Sequence, residues 1–522
     1  MIRAHTAQAV REAEAPLLES GEPLMARAAG ALAERVADRL RVTDRDRSVA
    51  ADRVLVLAGA GANGGDGLHA AALLRGEGIA ADAIATADRL HEEGTAALRA
   101  AGGTITALAD TAPGMLEQQL ATTTVVLDAM LGLGGRPEVP AALTPLLAVV
   151  RASGVPVIAV DLPSFVDATT GQAAPEALVA RETVTFGAYK AGLVLPGGAE
   201  RSGAIHLVDI GLAPHLRAAP TVCRLEDADV RALFPHPDRD ASKYTRGVVA
   251  LAAGSEQFPG AAVLAVSGAA RAGAGMVRAL APQAVLDLVL RERPESVGHR
   301  IERADGGPHA IDLAAVGRTD ALVVGPGLAP QDARARGGVE LLRSDRTGEH
   351  APDRTVIDHA GIARGVIDAG ALSVLTAAHR FGPGVVLTPH RGEAERLAES
   401  LEVDPELPGV QLAPALASAT GATVLLKGAV TLIAPGDGGP LRAQDEGTAQ
   451  LATAGTGDVL AGVLGALLAA GLNGPDAAAL AAILHGRAGR LASHDGLHPI
   501  VALDVAAHLP ETIGTILAGA QP

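Results

Sequence analysis

The stretch ATAGTGDVLAGVLGALLAAG, residues 452–471, sets Gly455, Thr456, Gly457 and Asp458 directly before a long apolar run that reads as a buried helix. Glycines at a helix start leave several backbone amides free, and together with the helix dipole they aim positive potential at one point. Such a point stabilises developing negative charge, and Asp458 stands at its edge as a candidate general base. The alternative is a plain glycine turn in which Asp458 caps the helix. Lys427, in LLKGAVTLI, lies just past an apolar run, where an ammonium can meet nucleotide phosphates or simply face solvent. His390, in LTPHRGEAERLAE, follows another such run, with Glu393 in the next helical turn and Pro389 fixing the entry to the loop. A loop hydrogen bond is the ordinary use of such a histidine.

A second group of polar residues sits early in the chain. It comprises Asn63 and Asp66 in the turn of RVLVLAGAGANGGDGL, Asp128 after TTVVL, and Asp161 with Ser164 in VPVIAVDLPS. Amide, carboxylate and hydroxyl oxygens on successive strand ends can hold a hard cation together, or each can cap the helix that follows it. Gly59, Gly61 and Gly64 also fit the G-x-G-x-x-G spacing of a dinucleotide-binding turn. An acid inside that turn competes with pyrophosphate for the same amides. Asp82, the nearest candidate for the ribose-binding acid, is not clearly at a strand end, so an NAD-dependent oxidoreductase is disfavoured. The glycines of MLGLGGRP, residues 130–137, allow backbone amides to approach a phosphate, or make a tight turn.

The elements that must carry these residues are short Val/Ile/Leu runs alternating with alanine-rich stretches: RVLVLAG, TTVVLDAM, VPVIAVDLPS, GVVALAAGS, ALVVGPGL, TVIDHA, GVVLTPH and ATVLLKG. Continuous apolar runs mark strands covered on both faces, and so parallel sheets with crossover helices. The expected fold class is α/β in two domains, with ligands beyond the carboxyl ends of the strands. At 522 residues the chain is long enough for two cores. The Pro-, Arg- and Asp-rich segment 211–247 breaks the rhythm, which places one domain at 1–215 and the other at 216–522. The stretches 344–355 and 435–440 read as surface insertions in the second domain.

Composition narrows the partners. Lys and Arg total 43 against 59 acids, a net charge of −16, with no Trp and two Tyr, which argues against nucleic acid. One cysteine, Cys223, excludes a disulfide framework and a thiolate metal cluster, and a reducing cytoplasm is the expected home. Charges interrupt the N-terminal segment, and no apolar run reaches membrane-spanning length, so neither a secretory leader nor a membrane partner is expected. Alanine-rich helices are suited to packing between subunits, and a homo-oligomer is expected.

In this order, AGANGGDG, LDAMLGLG, AVDLPSFVD and TFGAYKAGLVLPGG resemble the motifs of the YjeF-type NAD(P)H-hydrate epimerase domain, a Rossmann-like parallel-sheet fold. The resemblance implies that Asn63, Asp128 and Ser164 hold potassium and that Asp161 handles the proton. It also implies that Asn63, Gly64, Gly65 and Asp66, with Gly132, Leu133, Gly134, Gly135, Arg136, Pro137 and Glu138, bind the substrate. The family pattern has a second asparagine where this chain has Ala62, and glycine where it has Phe165, a bulky residue expected to narrow the pocket.

The later stretches SKYTRGVVALAAGSEQFPGAAVLAVSGAARAGAGMVR, VVGPGL, LTPHRGEAERL, LLKGAVT and ATAGTGDVLAG resemble the ribokinase-like ADP-dependent NAD(P)H-hydrate dehydratase domain. That resemblance implies Asp458 as catalytic base; Lys427, Gly428, Ala429, Val430, Thr431, Gly455, Thr456 and Gly457 on the nucleotide; and Ala262, Gly327 and His390, with Asp458, around the hydrate. The family's D-A-D segment is read in IDHAG, with Asp358 kept and His359 in place of the second aspartate. The implied nucleotide is ADP, with ATP as the alternative and magnesium on its phosphates. The expected activity is repair of hydrated nicotinamide cofactors: epimerisation of the hydrate and its nucleotide-dependent dehydration. A vitamin or sugar kinase, or a binding protein in the first half, are the competing expectations.

Overall fold

The computed structural model describes residues 1–43, 52–111, 113–301, 311–344 and 362–519. The chain divides into two compact α/β units, Ile2–Val222 and Cys223–Pro522, the latter together with Met1.

In the first unit seven parallel strands lie in the order Ile105–Ala107, Ala80–Ala85, Arg53–Ala58, Val125–Ala129, Val157–Val160, Glu182–Phe186, Ala204–Val208. The run RVLVLA is apolar throughout because both of its faces are covered. Val54, Val56 and Ala58 join one core with helices Leu24–Thr43 and Ala62–Gly76, while Leu55 and Leu57 join another with helix Thr144–Ser153. Arg53–Ala58 comes first in the chain but has neighbours on both sides, so its carboxyl end is the point where strand order reverses. A ligand site is expected there.

The second unit repeats the plan. Val297–Arg300, Met276–Ala281, Val248–Ala252, Ala321–Val324, Gly365–Ile367, Val385–Leu387 and Thr423–Leu426 are parallel, and Thr431–Ala434 and Leu441–Gln444 continue the sheet antiparallel. Residues 435–440 are therefore the turn of a hairpin rather than an insertion; most of 344–355 lies outside the described residues. Helix Thr456–Ala469 packs on helix Gly260–Arg271 almost backbone to backbone. A Cβ on Gly462 would stand 2.0 Å from Ala265 O, and one on Gly268 would stand 2.3 Å from Val459 O. Only glycine tolerates such approach.

Seven of the eight strands expected from apolar runs are present. The eighth, TVIDHA, lies outside the described residues. The strand that pairs between Ala321–Val324 and Val385–Leu387 is Gly365–Ile367, from the nearby GVIDAG. Among the described residues no helix is long and apolar enough to cross a membrane.

Candidate active sites

At the switch point of the first unit, a cavity of about 440 Å³ opens between the strand ends and helix Ala7–Glu19. Asp161 follows strand Val157–Val160 directly and adopts a left-handed backbone, φ 65°, which costs a non-glycine residue about 1 kcal/mol. Hydrogen bonds fix it: its amide donates to Val184 O at 2.7 Å, and its Oδ1 accepts from Phe186 N at 3.1 Å and Thr185 Oγ1 at 3.3 Å. The same oxygen pairs with Lys190 Nζ. Lys190 is 1% exposed, and its ammonium also donates to Thr185 Oγ1 at 3.0 Å and Phe186 O at 2.9 Å.

Two further carboxyl groups face this cavity, Asp66 and Glu14. Burial chiefly, then the charges of Asp161 and Glu14, pushes the Asp66 carboxyl up to about 8. Burial likewise raises Glu14, against the pull of Lys190. Asn63 and Asp66 were expected in a turn but lie inside helix Ala62–Gly76, whose N-cap, Gly61, leaves the end open. The helix starts this early because Gly64 comes so close to Gly59 that a Cβ would stand 2.0 Å from its carbonyl oxygen.

Beside the cavity an oxygen-rich corner forms. Asn63 Nδ2 donates to Leu131 O at 2.9 Å, leaving Asn63 Oδ1 buried without a partner among the described residues. Asp128, fully buried, accepts from the backbone amide of Ser164 at 2.9 Å and from its hydroxyl. Burial raises the Asp128 carboxyl, and the two Ser164 hydrogen bonds oppose the shift. Asn63, Asp128 and Ser164, picked out together from sequence, therefore converge, linked through Leu131, whose amide donates to Ser164 Oγ at 2.9 Å.

Gly132, Leu133, Gly134 and Gly135 line the cavity, whereas Arg136, Pro137 and Glu138 continue the loop beyond its lining. Gly64 and Gly65 support the helix start instead, Gly65 against His91 and Met25. Asp82, in mid-strand, binds the amide and hydroxyl of Thr104 and faces Arg53 and Arg75, so no ribose-binding acid stands at that strand's end. Phe165 corrects an expectation. Its backbone is left-handed, φ 67°, and its ring is buried in the core with Met130, Leu147 and Ala177 and does not line the cavity.

In the second unit the glycine turn opens the helix as the sequence suggests. Gly455 has φ 89°, and a Cβ there would lie 2.4 Å from Leu264 Cδ1. Thr456 Oγ1 donates to Leu451 O at 2.8 Å, and the buried His485 contacts Thr456 O through Nε2 at 2.9 Å. Burial holds His485 down to about 4, so the ring is neutral and Nε2 donates. Asp458 forms no hydrogen bond or ion pair among the described residues, which removes the capping reading. Burial, then the charge of Asp368, pushes its carboxyl up to about 7 despite Lys427.

Lys427 Nζ lies 3.0 Å from Asp368 Oδ1 and 3.7 Å from Glu393 Oε2. It stands 3.6 Å from where a Cβ on Gly457 would be, beside the open amides. Burial works against the ammonium, but Asp368 and Glu393 raise it above its ordinary value. Gly428, Ala429 and Val430 form the turn that returns to Thr431. Ala262 and Gly327 both back onto Gly254 at the end of strand Val248–Ala252. His390 takes its ordinary role: with Glu393 it caps helix Arg391–Ser400, and it is 56% exposed at the side chain.

Sequence reasoning missed Lys190, Glu14, His485 and Asp368. Asp358 and His359 lie outside the described residues, and the aspartate that follows a sheet strand here is Asp368. Asp368 is 2% exposed and accepts from Thr388 Oγ1 at 2.8 Å. VIDHAG and VIDAGA are near duplicates, and the periodicity of apolar runs does not separate them.

Residues 21–192 match the family model described as YjeF-related protein N-terminus, and residues 249–511 match that described as NAD(P)H-hydrate dehydratase. Over 499 residues the chain is 38% identical to the bifunctional NAD(P)H-hydrate repair enzyme Nnr of Mycobacterium leprae, with 94% of each chain covered. The NAD(P)H-hydrate epimerase of Microbacterium testaceum is 45% identical over 224 residues, which cover 42% of this chain and 82% of its own. The solved ADP/ATP-dependent NAD(P)H-hydrate dehydratase from Bacillus subtilis, co-crystallized with ATP and Mg2+, covers 56% of this chain and 97% of its own, at 29% identity and a TM-score of 0.46. With both domain matches in sequence order, and a relative of this identity spanning nearly its whole length, the chain belongs to the family of bifunctional NAD(P)H-hydrate repair enzymes.

Proposed function

We propose that residues 1–215 interconvert the two epimers of NAD(P)H hydrate and that residues 216–522 dehydrate one of them to NAD(P)H at the expense of an adenine nucleotide. The observation that carries the second activity is the unpartnered Asp458 carboxylate beside the open amides of Gly455–Gly457 and the Lys427 ammonium. Hydroxide is a poor leaving group. Asp458 takes the proton of the ring hydroxyl as its oxygen attacks the terminal phosphorus of the nucleotide, and the P–O bond to the departing nucleotide breaks. The amides and Lys427 receive the charge on the transferring group. The new C–O–P ester then loses phosphate from carbon while the neighbouring carbon loses a proton, which restores the dihydropyridine. With ADP the products are NAD(P)H, AMP and phosphate. Magnesium on the nucleotide phosphates would neutralise part of their charge.

In the first unit Asp161 faces the hydrate, and the loop Gly132–Gly135 offers backbone amides to its phosphates. Asn63, Asp128 and Ser164 fit potassium: all the donors are oxygens, Asn63 Oδ1 lacks a partner, and the buried Asp128 carboxylate has no cation beside it among the described residues. Bound there, potassium would fix the Leu131–Gly135 loop against the helix start.

The deciding experiment supplies both hydrate epimers with ADP or ATP and follows NADH absorbance. Full recovery is expected. Recovery of half would remove the epimerase, and a stable phosphorylated product would make the second unit a kinase.

A further inference from the structure

We propose that Asp66 is the general acid of the epimerisation, giving the proton on which the ring hydroxyl leaves as water. This deepens, and rests on, the reading of the first unit as an epimerase.

Glu14, Asp66 and Asp161 reach one cavity from three different elements, and a single buried ammonium, Lys190, serves that region. An ammonium has three N–H groups. All three of Lys190's are engaged, by Asp161, Thr185 and the Phe186 carbonyl, so none is left for Asp66. Glu14 has the Arg11 guanidinium acting on it. Asp66 feels only the positive charge of Lys190, whose donors are already taken: it is 8% exposed and forms no hydrogen bond or ion pair among the described residues. An ionised carboxylate so placed, with two others nearby, is unfavourable, and the group keeps its proton. The upward shift to about 8 agrees in direction. His69, one turn further along the same helix, is held below its ordinary value by burial and by His91, so it supplies no opposing positive charge near neutral pH. The cavity thus combines a proton donor, Asp66, with a carboxylate, Asp161, whose counter-ion is built in. Two carboxyl groups with opposed environments in one site mark an acid and base assignment.

The chemistry needs this pair. Water adds to an enamine at the carbon beside nitrogen, so the stereocentre of the hydrate is a carbinolamine. In the forward half the C–O bond breaks with its electron pair going to oxygen, Asp66 supplies the proton that makes water, and the nitrogen lone pair forms C=N. The planar cation faces the Asp161 carboxylate. Water then adds to the opposite face, the C=N electrons return to nitrogen, the Asp161 carboxylate on that face takes the released proton, and the proton passes back to Asp66. Atoms and charge balance over the cycle.

The test uses the purified full chain and a single resolved hydrate epimer without nucleotide, with inversion followed by chromatography. Asp66→Asn is expected to slow inversion about 100-fold, with partial recovery in Asp66→Glu. In the unaltered protein kcat/KM is expected to fall as pH rises through about 8, and that limb is expected to vanish in Asp66→Asn. An unchanged melting transition of the first unit reports that the variant is folded. Inversion within about threefold of the unaltered rate in Asp66→Asn, or an alkaline limb that persists there, overturns the assignment. Absence of inversion in the unaltered protein instead removes the epimerase reading itself, and this assignment with it.

Discussion

Each unit sets an aspartate and a lysine at the carboxyl edge of a parallel sheet, but the two pairs are wired differently. In the first unit Lys190 is sealed from solvent and bound to Asp161, so the charge of Asp161 is compensated before any substrate arrives. In the second, Lys427 is tied to Asp368 and Glu393, while Asp458 stands without a partner. A buried counter-ion suits a carboxylate that must stay charged beside a cation, and an unpaired one suits a carboxylate that must take a proton. On the proposed function the same residue type thus takes different roles because of what its nearest lysine is holding.

The strongest way to break this contrast is Asp458→Asn. Nucleotide-dependent recovery of NADH from the accepted epimer should fall about 10³-fold while inversion of the hydrate continues. A rate near that of the unaltered protein would mean that the proton goes elsewhere. In the unaltered protein, Asp458 must be ionised to act, so kcat/KM for dehydration should rise with pH through about 7 and then level; a flat profile would contradict the unpaired carboxylate. Asp161→Asn should slow inversion about 10²-fold without affecting dehydration of the accepted epimer, leaving half of a mixture unrepaired on the assay timescale.

Replacing each lysine by methionine sharpens the comparison. Lys190→Met strands the buried Asp161 charge and should cost about 3–5 kcal/mol of stability, read as a large drop in the melting transition of the first unit. Lys427→Met leaves the buried Asp368 carboxylate without its ion pair, so it too should cost about 3 kcal/mol of stability, and it should in addition raise the nucleotide KM by about 10-fold. A nucleotide KM unchanged in Lys427→Met would erase the distinction. Phe165→Gly is expected to act on stability alone. The lost ring burial of about 3–5 kcal/mol, offset by about 1 kcal/mol of relieved left-handed strain, should lower stability and leave the hydrate KM unchanged. A lower KM would return the ring to the pocket.

Buried strands were legible because a strand covered on both faces has no polar residue to interrupt it, as in RVLVLA. Less regular ones were not: Val297–Arg300 and Ala204–Val208, at the edges of their sheets, are exposed or only half-buried and carry His or Arg among their apolar residues. The glycine turn at Gly455 and the trio Asn63, Asp128 and Ser164 could be picked out because their oxygens and amides follow apolar runs. Glu14 could not, since it reaches the cavity from a helix almost fifty residues before Asn63 with no local motif to mark it. Lys190 stood inside a quoted motif, but only packing reveals that its three donors are all engaged.

The near backbone contact of helices Gly260–Arg271 and Thr456–Ala469 has a consequence for how this pocket can diversify. On the proposed function one helix carries Ala262, beside the hydrate, and the other begins at amides that face the transferred phosphate, so the two cannot be tuned separately. A single methyl group at Gly462 or Gly268 would wedge them apart and misplace both partners of the reaction at once. Variation in what this half accepts is therefore channelled into the surrounding loops, and the helix pair stays fixed as a common jig.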